Sequence, residues 1–329
     1  MTNQVYLALE TLFAINDAIK VDQGAEFRKL EGVCLPQLKD AYDDGPPEHR
    51  SHMGASLIGN DCARQIWYGF HWLTKRDYDG TLLRLFNRGH LEEGRFTAML
   101  LLIGCEIFQL DENGKQFRIS VADGHAGGSG DGVAIGVPDL PDPQEPCLTE
   151  YKTHGKKSFN ELAGENWKEY REDQALPIGE RRNIVFEGLG VKAAKFTHYV
   201  QVQVYMRKME LTSCLYLAVN KDNDEIYAEI IPLDIIVADQ YIDRMERLVA
   251  LSEPPKRISN DPSVFNCRYC DHRDTCHKLG TVPDQNCRTC VYSRIDGPDW
   301  LCTWRGKFIK IDKARQLIGC TEYQVNPSL

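Results

Sequence analysis

The chain has 329 residues and no run of eighteen apolar ones; its longest apolar stretch, Met99 to Ile103, sits inside an amphipathic pattern. No segment has the form of a signal peptide. A soluble, cytoplasmic protein with no membrane partner is therefore expected. Positive charge is also lacking: 39 Lys and Arg against 48 Asp and Glu leave a net charge of −9. That excludes a protein coating nucleic acid nonspecifically, but it leaves room for an acidic metal site edged by local basic strips. There is no Gly-x4-Gly-Lys-Ser/Thr loop, so no phosphate-loop motor is present. Internal repeats and low-complexity tracts are absent as well.

What is present is a 42% hydrophobic composition, enough to bury a sizeable core with a small appendage, and twelve cysteines. In a reducing compartment these are expected as metal ligands and buried thiols rather than disulfides. Seven of the twelve fall between Cys267 and Cys320. Cys34, Cys105, Cys147 and Cys214 stand apart in apolar or strand-like surroundings and read as core residues.

Apolar periodicity predicts a helix over Val5–Ile19, and Gly-Pro-Pro with many charges predicts an exposed loop over Pro36–Gly54. Helices are predicted over Asp61–Thr74 and Leu82–Ile103. Short strands follow at Glu106–Leu110, Phe117–Val121, Gly132–Val137 and Leu148–Lys152, punctuated by turns at 127–130 and 138–143. After a polar, helical region come strands at Cys214–Val219 and Ile226–Ile231, then a helix over Leu233–Leu251 that ends before Pro254-Pro255. This order predicts an α/β fold with a mixed central sheet flanked by helices. Beyond Pro254 apolar periodicity fades and cysteines take over, so metals rather than a core are expected to hold the tail.

The chemistry-bearing pattern is Gly128-x-x-Asp131 followed by Glu150-Tyr151-Lys152. Carboxylates of this kind suit hard divalent ions, which activate water and relieve developing charge in phosphodiester hydrolysis. A hairpin reversing at 138–146 sets Asp131 beside Glu150, and Glu150 and Lys152 share one strand face. Lys152 then orients the attacking water or stabilises the charged transition state. Two basic strips, Lys152, His154, Lys156 and Lys157, then Lys192, Lys195, His198, Arg207 and Lys208, are candidates for phosphate contact.

Gly-x-x-Asp followed by Glu-x-Lys resembles motifs II and III of the PD-(D/E)XK nuclease superfamily. Upstream, Arg88-Gly89-His90-Leu91-Glu92-Glu93 resembles its motif I. Glu93 matches the metal-binding Glu of the viral exonuclease branch, the lambda-exonuclease and YqaJ-like proteins, where RecB-like nucleases have His. His90 and Glu92 are neighbouring or alternative candidates. Gln201-x3-Tyr205 resembles the Gln-x3-Tyr motif of RecB-like nucleases, which lies on a helix there, although the local alternation Tyr-Val-Gln-Val-Gln-Val-Tyr is strand-like. In either structure Gln201 and Tyr205 share a face. The resemblance implies Mg²⁺ or Mn²⁺ on Glu93, Asp131, Glu150 and the Tyr151 carbonyl, with Lys152, Gln201 and Tyr205 completing the catalytic set.

Cys62, followed far downstream by Cys267-x2-Cys270-x5-Cys276, is similar to the cluster-binding pattern of iron–sulfur nucleases, including AddB-type and CRISPR adaptation nucleases. The resemblance implies a 4Fe–4S cluster fastening the downstream segment to an early helix. Thiolates suit zinc equally well, so spacing alone does not choose the metal. Cys287-x2-Cys290 with Cys302 and Cys320 has the ligand count of a tetrahedral zinc site. His272 and His277 are close enough in sequence to substitute, and Cys287 and Cys290 alone are the other reading.

The resemblance spans roughly Gly59 to Cys276. It divides the chain into a nuclease core over residues 1–255, a cluster segment over 256–280 and a zinc-binding tail over 281–329. It implies a DNA exonuclease of recombination, repair or viral DNA processing, with a helicase, recombinase or integrase as partner. The alternatives are a CRISPR adaptation nuclease that trims spacers and a non-catalytic nucleic-acid-binding protein with structural metals.

Overall fold

A computed structural model describes residues 4–34, 49–74 and 79–329. The chain divides into two compact units, each assembled from discontinuous segments. Most of the predicted loop over Pro36–Gly54 lies outside the described residues.

The first unit comprises Met1–Pro46, Asp79–Ile119 and Ser129–Ala238. Its elements run α1 (Leu9–Val21), α2 (Ala25–Cys34), α3 (Gly80–Leu102), β1 (Glu106–Phe108), β2 (Gly132–Ile135), β3 (Cys147–His154), α4 (Lys156–Ala163), α5 (Trp167–Gln174), α6 (Gly190–Ala194), α7 (Phe196–Met209), β4 (Ser213–Asn220) and β5 (Ile226–Pro232). The five strands form one mixed sheet in the order β1-β2-β3-β4-β5. All neighbours are antiparallel except β3 and β4, which run parallel and are joined through α4–α7. All eight residues of β4 are buried, as expected of a strand covered on both faces. Alternation along β3 sends Tyr151 and Glu150 to opposite faces. Tyr151 stacks on Phe96 of α3, with ring centroids 5.2 Å apart, while Glu150 meets Gln201 of α7. Helices therefore flank the sheet on both faces, and the predicted α/β class holds.

Two local expectations are corrected here, and one left open by the sequence is decided. The first helix starts at Leu9 rather than Val5, because the preceding residues extend the sheet: the Ala8 amide donates to the Ala228 carbonyl and the Ile230 amide to the Tyr6 carbonyl. The helix takes its cap from a distant residue. Asp139, in the proline-rich turn, accepts from the Glu10 and Thr11 amides at 3.0 and 2.7 Å. The segment around Gln201 is helical despite its strand-like alternation. Every residue from Tyr199 to Met206 is buried, so β-branched side chains here line an enclosed helix. The turn expected at 127–130 is mostly strand, because Met53–Gly54 pairs in parallel with Ala126 and Gly127.

The second unit comprises Pro47–Tyr78, Ser120–Gly128 and Asp239–Leu329. It holds the helix Ala63–Phe70, short helices at Phe265–Arg268, Arg273–Cys276 and Lys313–Ile318, and a small antiparallel sheet of Ser293–Asp296, Asp299–Cys302 and Ile309–Lys310. Side-chain contacts hold its tail in place. Arg288, 4% exposed, lies 3.8 Å over the Trp72 ring and 4.6 Å over Trp300. It also donates to the Phe70 and Ser51 carbonyls and to Gln316 Oε1. A buried guanidinium that donates from each of its three nitrogens and lies among aromatic faces is thus an anchor in its own right. No described helix is long and apolar enough to cross a membrane.

Candidate active site

The site forms where β2, β3, α3 and α7 meet within the first unit. Asp131 stands immediately before β2, and the pairing of Gly132 with Thr149 brings it against β3. A side chain at position 132 would come within 3.0 Å of the Phe108 carbonyl and 3.1 Å of Thr149 Oγ1, so glycine is what lets Asp131 sit this close. Asp131 Oδ2 accepts from the Tyr151 amide at 2.8 Å. Glu150, fully buried, ion-pairs with Lys152 through Oε1, and the same oxygen accepts from Gln201 Nε2 at 2.8 Å. Lys152 Nζ also lies 3.3 Å from the Tyr151 carbonyl. Glu150 Oε2 is buried with no hydrogen-bond partner.

Glu93, on α3, accepts from or pairs with His90 Nδ1 at 3.3 Å and faces the same cleft. The electrostatics bind the group together. Burial first, then the Glu150 charge, raise the Asp131 carboxyl well above its usual range, with Glu93 adding to the rise and Lys152 opposing it. Burial opposes the Lys152 charge, but Glu150 and Asp131 outweigh it and leave the ammonium above its ordinary pKa. His90 is raised by its bond to Glu93 against the opposing effect of burial. Glu92 differs: both its oxygens accept from Arg95 Nη1, at 3.0 and 2.9 Å, although it too lines the cleft. Tyr205 is buried one turn beyond Gln201 on the same helix.

The cleft has a volume of about 390 Å³. Beyond the acids it is lined by Lys152, His154, Ser158, Lys195 and His198, so the two basic strips meet here in part. Lys192 is instead engaged with Asp234 at 3.5 Å, and Arg207 and Lys208 are exposed at the end of α7. Ser158 and Tyr216 carry no motif and were not predicted from the sequence. Tyr216 is fully buried on β4, and its hydroxyl lies 3.2 Å from His154 Nε2 and 2.9 Å from His198 Nδ1.

Among the described residues, no group of three or more His, Cys, Asp or Glu side chains is placed to hold an ion. The Lys152 ammonium pairs with Glu150 through Oε1 and lines the cleft. The donor set nevertheless fits a hard divalent ion: clustered carboxyls, a backbone carbonyl and one buried carboxylate oxygen with nothing to bond.

All twelve cysteines are free thiols. Cys34, Cys105, Cys147 and Cys214 are buried, as expected of core residues. In the second unit, Cys62, Cys267, Cys270 and Cys276 line one small cavity with His272 and His277. Burial first, then Cys62 and Cys276, push the Cys267 thiol up, so these sulfurs sense one another. Side-chain bonds already fasten this segment to the helix Ala63–Phe70: Arg64 Nη1 donates to the Pro255 carbonyl at 2.6 Å and Trp67 Nε1 to the Leu251 carbonyl at 3.0 Å. His272 Nδ1 lies 3.2 Å from Thr74 Oγ1. Cys287, Cys290, Cys302 and Cys320 gather likewise: burial, then Cys290, Cys320 and Cys302, push the Cys287 thiol up to about 11. Four thiols at each place have the ligand chemistry of a thiophilic metal, which suits iron–sulfur and zinc alike, but among the described residues neither set is drawn together closely enough to hold an ion.

No family model and no curated protein matches the chain. Among solved structures it is similar to SSO0001, at 14% identity, covering 74% of this chain and 93% of that one with a TM-score of 0.35. It is also similar to an alkaline exonuclease, LHK-Exo, from Laribacter hongkongensis, at 11% identity over 61% of this chain and 88% of that one, with a TM-score of 0.37. The same exonuclease in complex with dAMP gives 11%, 61%, 87% and 0.35. At such identities and scores the likeness carries no weight for function.

Proposed function

We propose that this chain is a Mg²⁺- or Mn²⁺-dependent DNA nuclease of the PD-(D/E)XK type, an exonuclease acting on DNA ends in recombination, repair or viral DNA processing. One observation carries the reading: Glu93 and Lys152 line one cleft, Asp131 and Glu150 lie buried behind them within reach of the same charges, and Glu150 keeps a buried oxygen without a partner. Such a group is costly to assemble unless a cation completes it.

Glu93, Asp131, Glu150 and the Tyr151 carbonyl would hold the ion. When bound, it supplies Lewis acidity and a more acidic water. Gln201 Nε2 holds Glu150 Oε1 and so fixes the direction in which Oε2 faces. Lys152 presents an ammonium between the acids and the cleft, placed to orient water or to balance charge on phosphate. Lys195, 2.9 Å from Glu161, adds a second cation at the cleft for a phosphate backbone. Tyr205, buried one turn beyond Gln201 on α7, would help to position metal-bound groups or DNA. A 4Fe–4S cluster on Cys62, Cys267, Cys270 and Cys276, and zinc on Cys287, Cys290, Cys302 and Cys320, complete the proposal as structural groups in the second unit. A helicase, recombinase or integrase would be the partner for strand unwinding or joining.

Incubation of the purified protein with Mn²⁺ and 5′- or 3′-end-labelled DNA, paired with metal analysis, tests this. Metal-dependent shortening is expected, and EDTA should stop it. A protein that retards the strand without shortening it is a binder, and the proposal fails.

A further inference from the structure

One cluster of buried polar groups has no part in the scheme above. Four side chains of the first unit form an unbroken series: Ser158 Oγ lies 3.2 Å from His154 Nδ1, His154 Nε2 lies 3.2 Å from the Tyr216 hydroxyl, and that hydroxyl lies 2.9 Å from His198 Nδ1. His154 and Tyr216 are 8% and 0% exposed, yet both ends of the series, Ser158 and His198, open on the cleft that holds Lys152. His198 precedes Gln201 by one turn of α7, so the helix that touches Glu150 also presents this imidazole.

Resting on the nuclease reading, we propose that Ser158, His154, Tyr216 and His198 form a proton relay serving the leaving oxygen of the cleaved phosphodiester. The hydroxyl of Tyr216 has one proton to give, so it donates to one imidazole and accepts from the other. In one setting Ser158 donates to His154, His154 donates from Nε2 to Tyr216, Tyr216 donates to His198 Nδ1, and His198 Nε2–H points outward. In the other setting every bond reverses.

Hydrolysis forms a bond from the water oxygen to phosphorus, breaks the bond to the leaving oxygen, frees one proton from the water and requires one at the leaving oxygen. His198 Nε2 delivers that proton. Tyr216 re-protonates His198 at Nδ1, His154 re-protonates Tyr216, Ser158 re-protonates His154, and Ser158 takes the proton that cleft water has released. This leaves the relay in its reversed setting; His198 Nε2 then takes a proton from solvent as Ser158 returns one to it, which restores the first setting, so atoms and charge balance over the cycle without any further reactant. His198 and Ser158 are the catalytic ends; His154 and Tyr216 act only through them.

Tyr216→Phe removes one oxygen and breaks the series at its centre. The two substrates to compare are DNA and a thymidine 4-nitrophenyl phosphate ester, whose nitrophenolate departs without a proton. With Mn²⁺ present, kcat on DNA is expected to fall about a hundredfold, at least tenfold more than kcat on the aryl ester, with KM little changed. His198→Gln should show the same contrast if the tyrosine variant does not fold. Equal losses on both substrates would mean a structural role and overturn the relay.

Nitrogen-15 spectra of the wild-type imidazoles give a readout apart from activity. The series requires His154 and His198 to share a tautomer, both protonated at Nε2 or both at Nδ1; opposite tautomers overturn it. A wild-type protein that cleaves neither substrate defeats the nuclease reading itself, and the relay with it.

Discussion

The acidic cleft and the cysteine sets solve the same problem, gathering metal-type donors, by different means. In the cleft the donors sit on a registered strand pair and two helices, held by directed bonds: Tyr151 to Asp131, Gln201 and Lys152 to Glu150. The cysteines of the second unit lie on short helices, a one-turn helix and loop ends, and no cage is closed around them. Charge explains the contrast. A buried carboxylate is expensive alone, so the fold must supply counter-charge and donors even before an ion arrives. A protonated thiol is a small, nearly apolar group that a protein can bury at little cost. On the proposed reading, metal should therefore govern chemistry in the first unit and stability in the second.

The largest expected effect is that of Lys152→Ala. Cleavage should fall about a thousandfold, in the range lost with a proton-handling or charge-balancing group. Because Lys152 also neutralises Glu150 and Asp131, the metal-free variant should melt lower and recover when Mn²⁺ is added. Calorimetry with and without Mn²⁺ checks this. Retained turnover would show that the cleft works without its lysine.

The Cys62→Ser variant tests the other half of the comparison. With the proposed cluster in place, it should lose iron and destabilise the second unit by roughly 2–5 kcal/mol, the scale of losing a native cross-link. The Arg64 and Trp67 bonds would remain, so unfolding need not be complete. Iron content and thermal melting measure both parts; unchanged iron in the variant removes Cys62 from the ligand set.

Much of this layout was legible in sequence because it rests on local pattern. The Asp131 and Glu150 hairpin follows from two strands and a proline-rich turn, and shared strand parity brings Lys152 to Glu150. Where tertiary contacts decide, sequence pattern fails. The alternation around Gln201 looks like a strand because a helix buried all round needs no polar face. Leu9 begins a helix because Asp139, far away in sequence, caps it. Arg288 is invisible as an anchor, since an arginine between two cysteines reads as surface until Trp72 and Trp300 close over it. Tyr216 is hidden for a similar reason: only the parallel β3–β4 register puts its hydroxyl between two histidines.

A smaller effect is expected from pH in the second unit. His71 is buried, stacked 3.5 Å from Trp67, with Nδ1 3.0 Å from the Trp67 carbonyl. Burial, against that hydrogen bond and helped by the Arg288 charge, lowers its pKa to about 3. Between the ordinary value of 6.5 and about 3, the unfolded chain binds a proton that the folded chain does not. Its contribution to stability is thus intact above pH 6.5 and is lost as pH falls toward 3, by at most about 1.4 kcal/mol per pH unit. Denaturant titrations of the protein and of His71→Gln across this range should show a shallower slope in the variant.

The smallest expected effect separates two adjacent glutamates on α3. Glu92 is bound to Arg95 through both oxygens, and Arg95 also reaches Glu31 at 3.5 Å, so Glu92 belongs to a network joining α2 and α3. Glu93 meets His90 and shares the field of Asp131 and Lys152. Glu92→Gln should therefore cost about 1 kcal/mol of stability and leave Mn²⁺ affinity within a factor of about two. Glu93→Gln should weaken Mn²⁺ binding without that loss of stability. Isothermal titration of Mn²⁺ into both variants decides: if Glu92→Gln is the one that loses the ion, the ligand on α3 sits one residue earlier than the resemblance places it.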